Sequence, residues 1–174
     1  MKIKYKHQRF QTEAARCVTD TFKGQPKQEP GSNYLIDQGT NQGLFNAEGY
    51  ANWPLQIADS VFCDNIRKTQ MEQGIKPIEA LEGDRRTLTV EMETGTGKTY
   101  TYIKTMFELN KLYGWLKFIV VVPSIAIREG VLKSFGSMSD HFAEEYGKRM
   151  EYFVYNLKSP TIIQYTIKGR FMSR

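Results

Sequence analysis

The stretch from Thr87 to Thr99, Thr-Leu-Thr-Val-Glu-Met-Glu-Thr-Gly-Thr-Gly-Lys-Thr, leaves this chain few folds to choose from. It opens as an alternating, β-branched run, the pattern of a strand. It then turns through Gly95 and Gly97 into Lys98 and Thr99, where a helical pattern begins. Strand, glycine-rich turn, Lys-Thr and helix, in that order, is the setting in which a P-loop holds phosphate groups. Glycines at 95 and 97 let backbone N–H groups face an anion with no Cβ in the way. The new helix adds its positive N-terminal end. In such a loop Lys98 reaches the β- and γ-phosphates and the Thr99 hydroxyl ligates Mg²⁺. The usual pattern opens on Gly or Ala, and here Met92 stands in that place. A bare Gly-Lys-Thr is a weak signal, whereas Thr94 to Thr99 at a strand-to-helix switch is a strong one. The plain alternative is an ordinary glycine-rich turn.

Around this stretch the chain has 174 residues, the size of one domain or a little more. Its 24 Lys and Arg against 19 Asp and Glu give a net charge of +5. That favours an anionic partner, nucleic acid above all, but a generic basic surface fits equally well. Cys17 and Cys63 form no Cys-x-x-Cys pair, and with only two histidines the sequence argues against a zinc site. The two thiols read as reduced and partly buried, as in a cytosolic protein. The basic N-terminus has no apolar segment of the signal-peptide kind, and no apolar run is long enough to span a membrane. No internal repeat is visible.

Taken in order, Met1 to Lys6 reads as a short strand or extended arm. Phe10-Gln11 leads into a helix with Ala14, Ala15, Val18 and Phe22 on one face. A glutamine amide can give and take a hydrogen bond at once, which matches the N6 and N7 edge of adenine. An aromatic such as Phe10 can stack beside such a base. Read by itself, Gln11 is more simply a solvated side chain at a helix start, and Gln8 competes for the same role. Lys23 to Tyr50 is rich in Gly, Pro, Gln and Asn and reads as a long irregular insertion, with one short strand at Tyr34-Leu35-Ile36. From Trp53-Pro54 the pattern predicts a helix burying Ile57, Ala58, Val61, Phe62 and Ile66 and ending at Gly74. Pro77 to Leu81 predicts a further short helix, and Arg85 and Arg86 read as a solvated loop more readily than as a phosphate contact.

After the glycine-rich turn, Tyr102, Met106, Leu109 and Tyr113 recur at helical spacing up to a stop at Gly114. Lys117 to Val122 is a nearly unbroken β-branched run, the mark of a strand buried on both faces in a parallel sheet. Pro123-Ser124 follows, with Ser124 placed to cap a helix through Ile127, Val131 and Phe135. The C-terminal end of a sheet strand is where open α/β folds bind ligands. Backbone amides there, with Ser124 and Arg128, can grip a phosphodiester, or the turn can be an ordinary connection. Phe142 to Tyr146 reads as a helical piece, Glu151 to Tyr155 and Thr161 to Ile167 as strands, and Lys168 to Arg174 as a frayed basic tail.

Phe10-Gln11, then Met92 to Thr99, then Val121 to Val131 stand in one order along the chain. Together they resemble the N-terminal motor lobe of a superfamily-2 helicase-like translocase, and more narrowly the restriction (Res) subunit of type III restriction-modification enzymes. Met92 at the head of the loop, the Tyr-Gly-x-x-Lys-Phe spacing from Tyr113 to Phe118, the Ala-Ile-Arg-Glu-Gly-Val run and the long insertion all add to the likeness. It is best from Val90 to Phe135 and fades after about Lys158. The resemblance implies an α/β fold, an incomplete RecA-like lobe with a mostly parallel sheet flanked by helices. It divides the chain into an arm and adenine-motif helix at 1–22, an insertion at 23–84 and a P-loop core at 85–174. It implies that Gln11, with Phe10 beside it, reads adenine. Thr94, Gly95, Thr96, Gly97, Lys98 and Thr99 would hold ATP, with Lys98 and Thr99 catalytic and Thr99 on Mg²⁺. Pro123, Ser124 and Arg128 would contact one DNA strand. The implied partners are double-stranded DNA and a separate modification (methyltransferase) subunit, with no membrane, in the cytoplasm.

Hydrolysis in such motors needs an Asp-Glu pair at the end of a buried strand. Asp140-His141 and Glu144-Glu145 follow polar residues in a helical pattern and do not fit that place. The second lobe with its arginine finger and a nuclease domain are not seen either. The expectation is therefore a fragment of a larger subunit, one that binds nucleotide weakly and turns over almost none. Three rivals stay open: a small P-loop kinase, a nucleotide- or DNA-binding module without turnover, and another superfamily-2 motor such as a type I restriction subunit or a repair helicase.

Overall fold

A computed structural model describes residues 5–28, 52–81, 86–155 and 161–169. In order they form α1 (Arg9–Asp20), α2 (Asp59–Glu72), α3 (Lys98–Tyr113), β1 (Lys117–Val122), α4 (Ile125–Tyr146), β2 (Lys148–Tyr155) and β3 (Thr161–Gly169). The expected strand at 34–36, the N-terminal residues 1–4 and the tail from 170 lie outside the described residues. No helix among the described residues is long and apolar enough to cross a membrane.

The chain divides into two compact units. One takes its described residues from Tyr5–Pro26 and Leu55–Leu112, and so contains α1, α2 and nearly all of α3. Its core gathers Ile57, Phe62 and Ile66, with Phe22, Ile78, Leu81 and Leu88 packed against them. Phe22 meets Phe62 at 5.5 Å between ring centroids. α2 begins at Asp59, later than Trp53-Pro54 suggested, and Val61 and Ala58 stay exposed. Gly74 closes the segment with φ at 68°, as its place after the helix predicts. Residues 77–81 form no helix. On α1 the buried line is Gln11, Ala15 and Thr19, rotated from the expected apolar face. Residues 87–93 are not in a strand ladder, so the strand expected before the turn is not formed among the described residues. A strand exists only through a partner's hydrogen bonds, and here Leu88 instead packs on the Ile57–Phe62–Ile66 cluster. Arg86, expected in a solvated loop, forms an ion pair with Asp59 and stands over the Phe62 ring at 5.5 Å.

The second unit holds β1, α4, β2 and β3 with the residues around Gln28 and Asn52. Its sheet has the order β1-β3-β2, and both pairings are antiparallel. The expected parallel sheet is thus not what the described strands form. The physical reason lies in the connections. Only residues 156–160 separate β2 from β3, too short for the crossover that parallel neighbours need. β1 and β2, joined through α4, do run in the same direction, because each opposes β3. They are simply not neighbours.

α4 buries Val131, Phe135, Met138 and Phe142, one helical stripe, and packs against β1 and β2. Phe135 stacks on Tyr165 of β3 at 4.1 Å. Ile163, Tyr165 and Ile167 are fully buried on this side. The other face is open. Ile119 is 65% and Val121 58% exposed, so β1 is not buried on both faces as its composition suggested. α4 also runs unbroken through Phe142 to Tyr146, which the sequence had suggested as a separate piece. Gly114, after α3, takes φ at 74° with its α-carbon against Gln28: a Cβ there would lie 2.2 Å from the Gln28 carbonyl oxygen.

Candidate functional site

The glycine-rich turn keeps the conformation its glycines allow. Gly95 and Gly97 have φ at 81° and 86°, values that residues with a Cβ rarely adopt. Residues 94–96 form the turn and α3 begins at Lys98. The Thr96 hydroxyl donates to the Glu93 carbonyl at 2.7 Å, which ties the turn back on itself. The Thr101 N–H donates to the Gly97 carbonyl at 3.0 Å as the helix gets under way. Lys98 is exposed and Thr99 half-buried. Thr99 is next to the phenol of Tyr102, whose pKa burial raises, the Thr99 hydroxyl offsetting part of that rise.

Gln11 is the residue that the fold adds to this turn. It is 8% exposed, and its Nε2 donates to the Thr96 carbonyl at 2.9 Å across 85 positions of sequence. A Cβ on Gly97 would lie 2.5 Å from that same nitrogen. One N–H of the amide is therefore committed to the turn, and amide chemistry leaves a second N–H and the carbonyl oxygen for another partner. Phe10, its neighbour on α1, is exposed. Gln8, the competing glutamine, sits just before α1 and lines a shallow groove of about 560 Å³ with His7, Arg9, Thr12, Glu13 and Arg16. The glutamine against the glycine turn is Gln11 and not Gln8.

The donor set suits a polyphosphate with its cation. It consists of backbone amides in a glycine turn, the start of a long helix, a lysine and a threonine hydroxyl. The structure thus brings Gln11 and the 94–99 turn together within one unit. Tyr5, which stacks on Tyr100 at 6.1 Å, is a neighbour of this helix that the sequence did not single out.

Pro123, Ser124 and Arg128 belong to the other unit and form a group of their own. Ser124 caps α4: its hydroxyl accepts from the Ile127 N–H at 3.3 Å, and its carbonyl from the Arg128 N–H at 3.0 Å. The Arg128 guanidinium pairs with Glu129 at 2.8 Å, so an anion arriving there would compete with a carboxylate.

Comparison with known proteins extends the likeness. The family described as "Type III restriction enzyme, res subunit" matches residues 64–166, past the point where the motifs fade. The chain is 37% identical over 106 residues to the type III restriction-modification enzyme EcoPI Res subunit of Escherichia phage P1, covering 59% of this chain and 11% of that protein. It is 37% identical over 107 residues to the EcoP15I Res subunit of Escherichia coli, with 60% and 11% covered. Over 71 residues it is 46% identical to the StyLTI Res subunit of Salmonella typhimurium, with 39% and 7% covered. The matched part is about a tenth of the length of these relatives or less. The family match takes in more than half of the chain, both the glycine turn with α3 and the whole β1–α4–β2 segment. This chain belongs to the type III restriction enzyme Res subunit family.

Proposed function

We propose that this chain is part of a RecA-like motor lobe that binds ATP with Mg²⁺ at Thr94–Thr99. In the whole enzyme it would serve to couple hydrolysis to movement or switching on DNA and so to cleavage. The observation that carries this reading is the turn itself: two glycines at positive φ directly before α3, with Gln11 bonded to the carbonyl between them. Lys98 neutralises phosphate charge as it builds up in the transition state, and the Thr99 hydroxyl ligates the magnesium. Gln11 offers its remaining donor and acceptor to the adenine edge, with Phe10 exposed beside it for stacking. Pro123, the capping Ser124 and Arg128 contact the backbone of double-stranded DNA. A modification subunit supplies the sequence recognition, and the complex works in the cytoplasm.

Turnover needs an Asp-Glu pair at a strand end, and the Asp140, Glu144 and Glu145 carboxylates stand on α4 instead. Calorimetric titration with ATP and Mg²⁺, beside Lys98→Ala and with phosphate release followed in parallel, tests the reading. We expect binding by the wild-type chain, a loss of at least tenfold in the variant, and almost no phosphate release, since a charge-assisted contact contributes about 1.5–3 kcal/mol. Equal binding by both would remove Lys98 from the site. Brisk release would show that the hydrolytic carboxylates are present after all.

A further inference from the structure

We propose that Gln11 is a positioning residue of the phosphate loop, holding the Thr96–Gly97 peptide in its anion-facing orientation whether or not a base is bound. The inference rests on the reading above that the loop takes a nucleotide's phosphates, and it goes beyond adenine recognition. Thr96 lies between the two positive-φ glycines, the residues whose backbone has the widest choice of conformations. The Gln11 amide holds its carbonyl at 2.9 Å. In a trans peptide the carbonyl and the following N–H point in opposite directions. Fixing the Thr96 carbonyl on Gln11 therefore turns the Gly97 N–H to the opposite side of that peptide, as a donor to an anion.

Gln11 can hold the peptide because it is itself held. It is buried, in line with the buried Ala15 and Thr19 on the same helix. Its nitrogen is packed so closely on Gly97 that no Cβ would fit between them. The other side of the turn is tied by the Thr96 hydroxyl to Glu93. One side chain thus joins base and phosphate sites. The N–H it gives Thr96 sets the loop, and the rest of the same amide faces a base.

A ligand without a base separates the two roles. The full chain and Gln11→Met, which keeps the volume and loses the donor, are titrated with ATP and with inorganic tripolyphosphate, each with Mg²⁺. Amide hydrogen exchange is measured over residues 94–99 in the nucleotide-free proteins. We expect the variant to lose about fivefold in affinity for tripolyphosphate, the size of one neutral hydrogen bond, and at least as much for ATP. Exchange should quicken in the loop while the global unfolding midpoint holds. Gln11→Leu, also without the donor and without charge, should show the same pattern if methionine disturbs the packing. ATP affinity falling alone, with tripolyphosphate affinity and loop exchange unchanged, would overturn the proposal and leave the nucleotide reading standing. If the wild-type chain itself binds neither ligand, the nucleotide reading falls and the proposal with it.

Discussion

Tyr102 is one turn into α3, its hydroxyl buried beside the Thr99 side chain. Burial raises its pKa above the ordinary value of about 10. The unfolded chain would then give up the phenol proton at a pH where the folded chain keeps it. Its contribution to stability is whole below about pH 10 and lost as pH climbs through the folded value. Tyr102→Phe removes the proton from the balance. Urea midpoints followed from about pH 8 to about pH 11 should fall less steeply in the variant than in the wild type; parallel curves would show that Tyr102 ionises as if exposed. Among single residues, the turn at Gly95 and Gly97 and the helix start at Lys98 were legible in the sequence because their conformation is set by immediate neighbours. The bond from Gln11 to Thr96 was not, since it spans most of the chain before the loop. Arg86 was misread for the same reason: Asp59 and Phe62 come to it from α2.

The elements of the second unit follow their sequence closely, and the exceptions have causes. β1 spans Lys117–Val122 as the β-branched run predicts, but composition cannot say whether a sheet's second face will be covered. The strands after α4 were legible as strands and not as a hairpin, because pairing direction depends on the connection at 156–160 rather than on periodicity. The sequence left the stretch between Phe135 and Phe142 unassigned, and α4 runs through it and past Ser134 and Ser137 without a break. The helix absorbs the serines by bonding their hydroxyls to the Gly130 and Ser134 carbonyls of the preceding turn. Ser124 has a structural duty that its proposed role must be separated from. Ser124→Ala should cost about 1 kcal/mol, the usual worth of an N-cap, read from chemical denaturation. Ser124→Asp restores the cap and places a negative charge where DNA phosphate is proposed to lie. We expect it to keep stability and weaken DNA binding, measured by fluorescence anisotropy on a duplex. DNA affinity unchanged in Ser124→Asp would leave Ser124 a cap and nothing more.

Each unit of the whole molecule draws on segments far apart in sequence. At the start of β1, the Asn52 side chain takes the place of a neighbouring strand. Its Oδ1 accepts from the Leu116 and Lys117 N–H groups at 2.7 and 3.0 Å, and its Nδ2 donates to the Lys117 carbonyl at 2.6 Å. The rest of β1 relies on β3 for its ladder. That order gives the refolding kinetics a direction. Val154→Ala, in the local β2–β3 pairing, should slow refolding, while Val122→Ala, in the long-range pairing, should mainly speed unfolding, both read by stopped flow. It also sets a timetable on the ribosome. β1 is made before β3, its strand partner among the described residues, and at roughly 5–20 residues per second the wait for β3 is on the order of seconds. For that interval a nascent Phe-Ile-Val-Val-Val segment waits without β3, which gives a chaperone a reason to hold this stretch of the newborn chain.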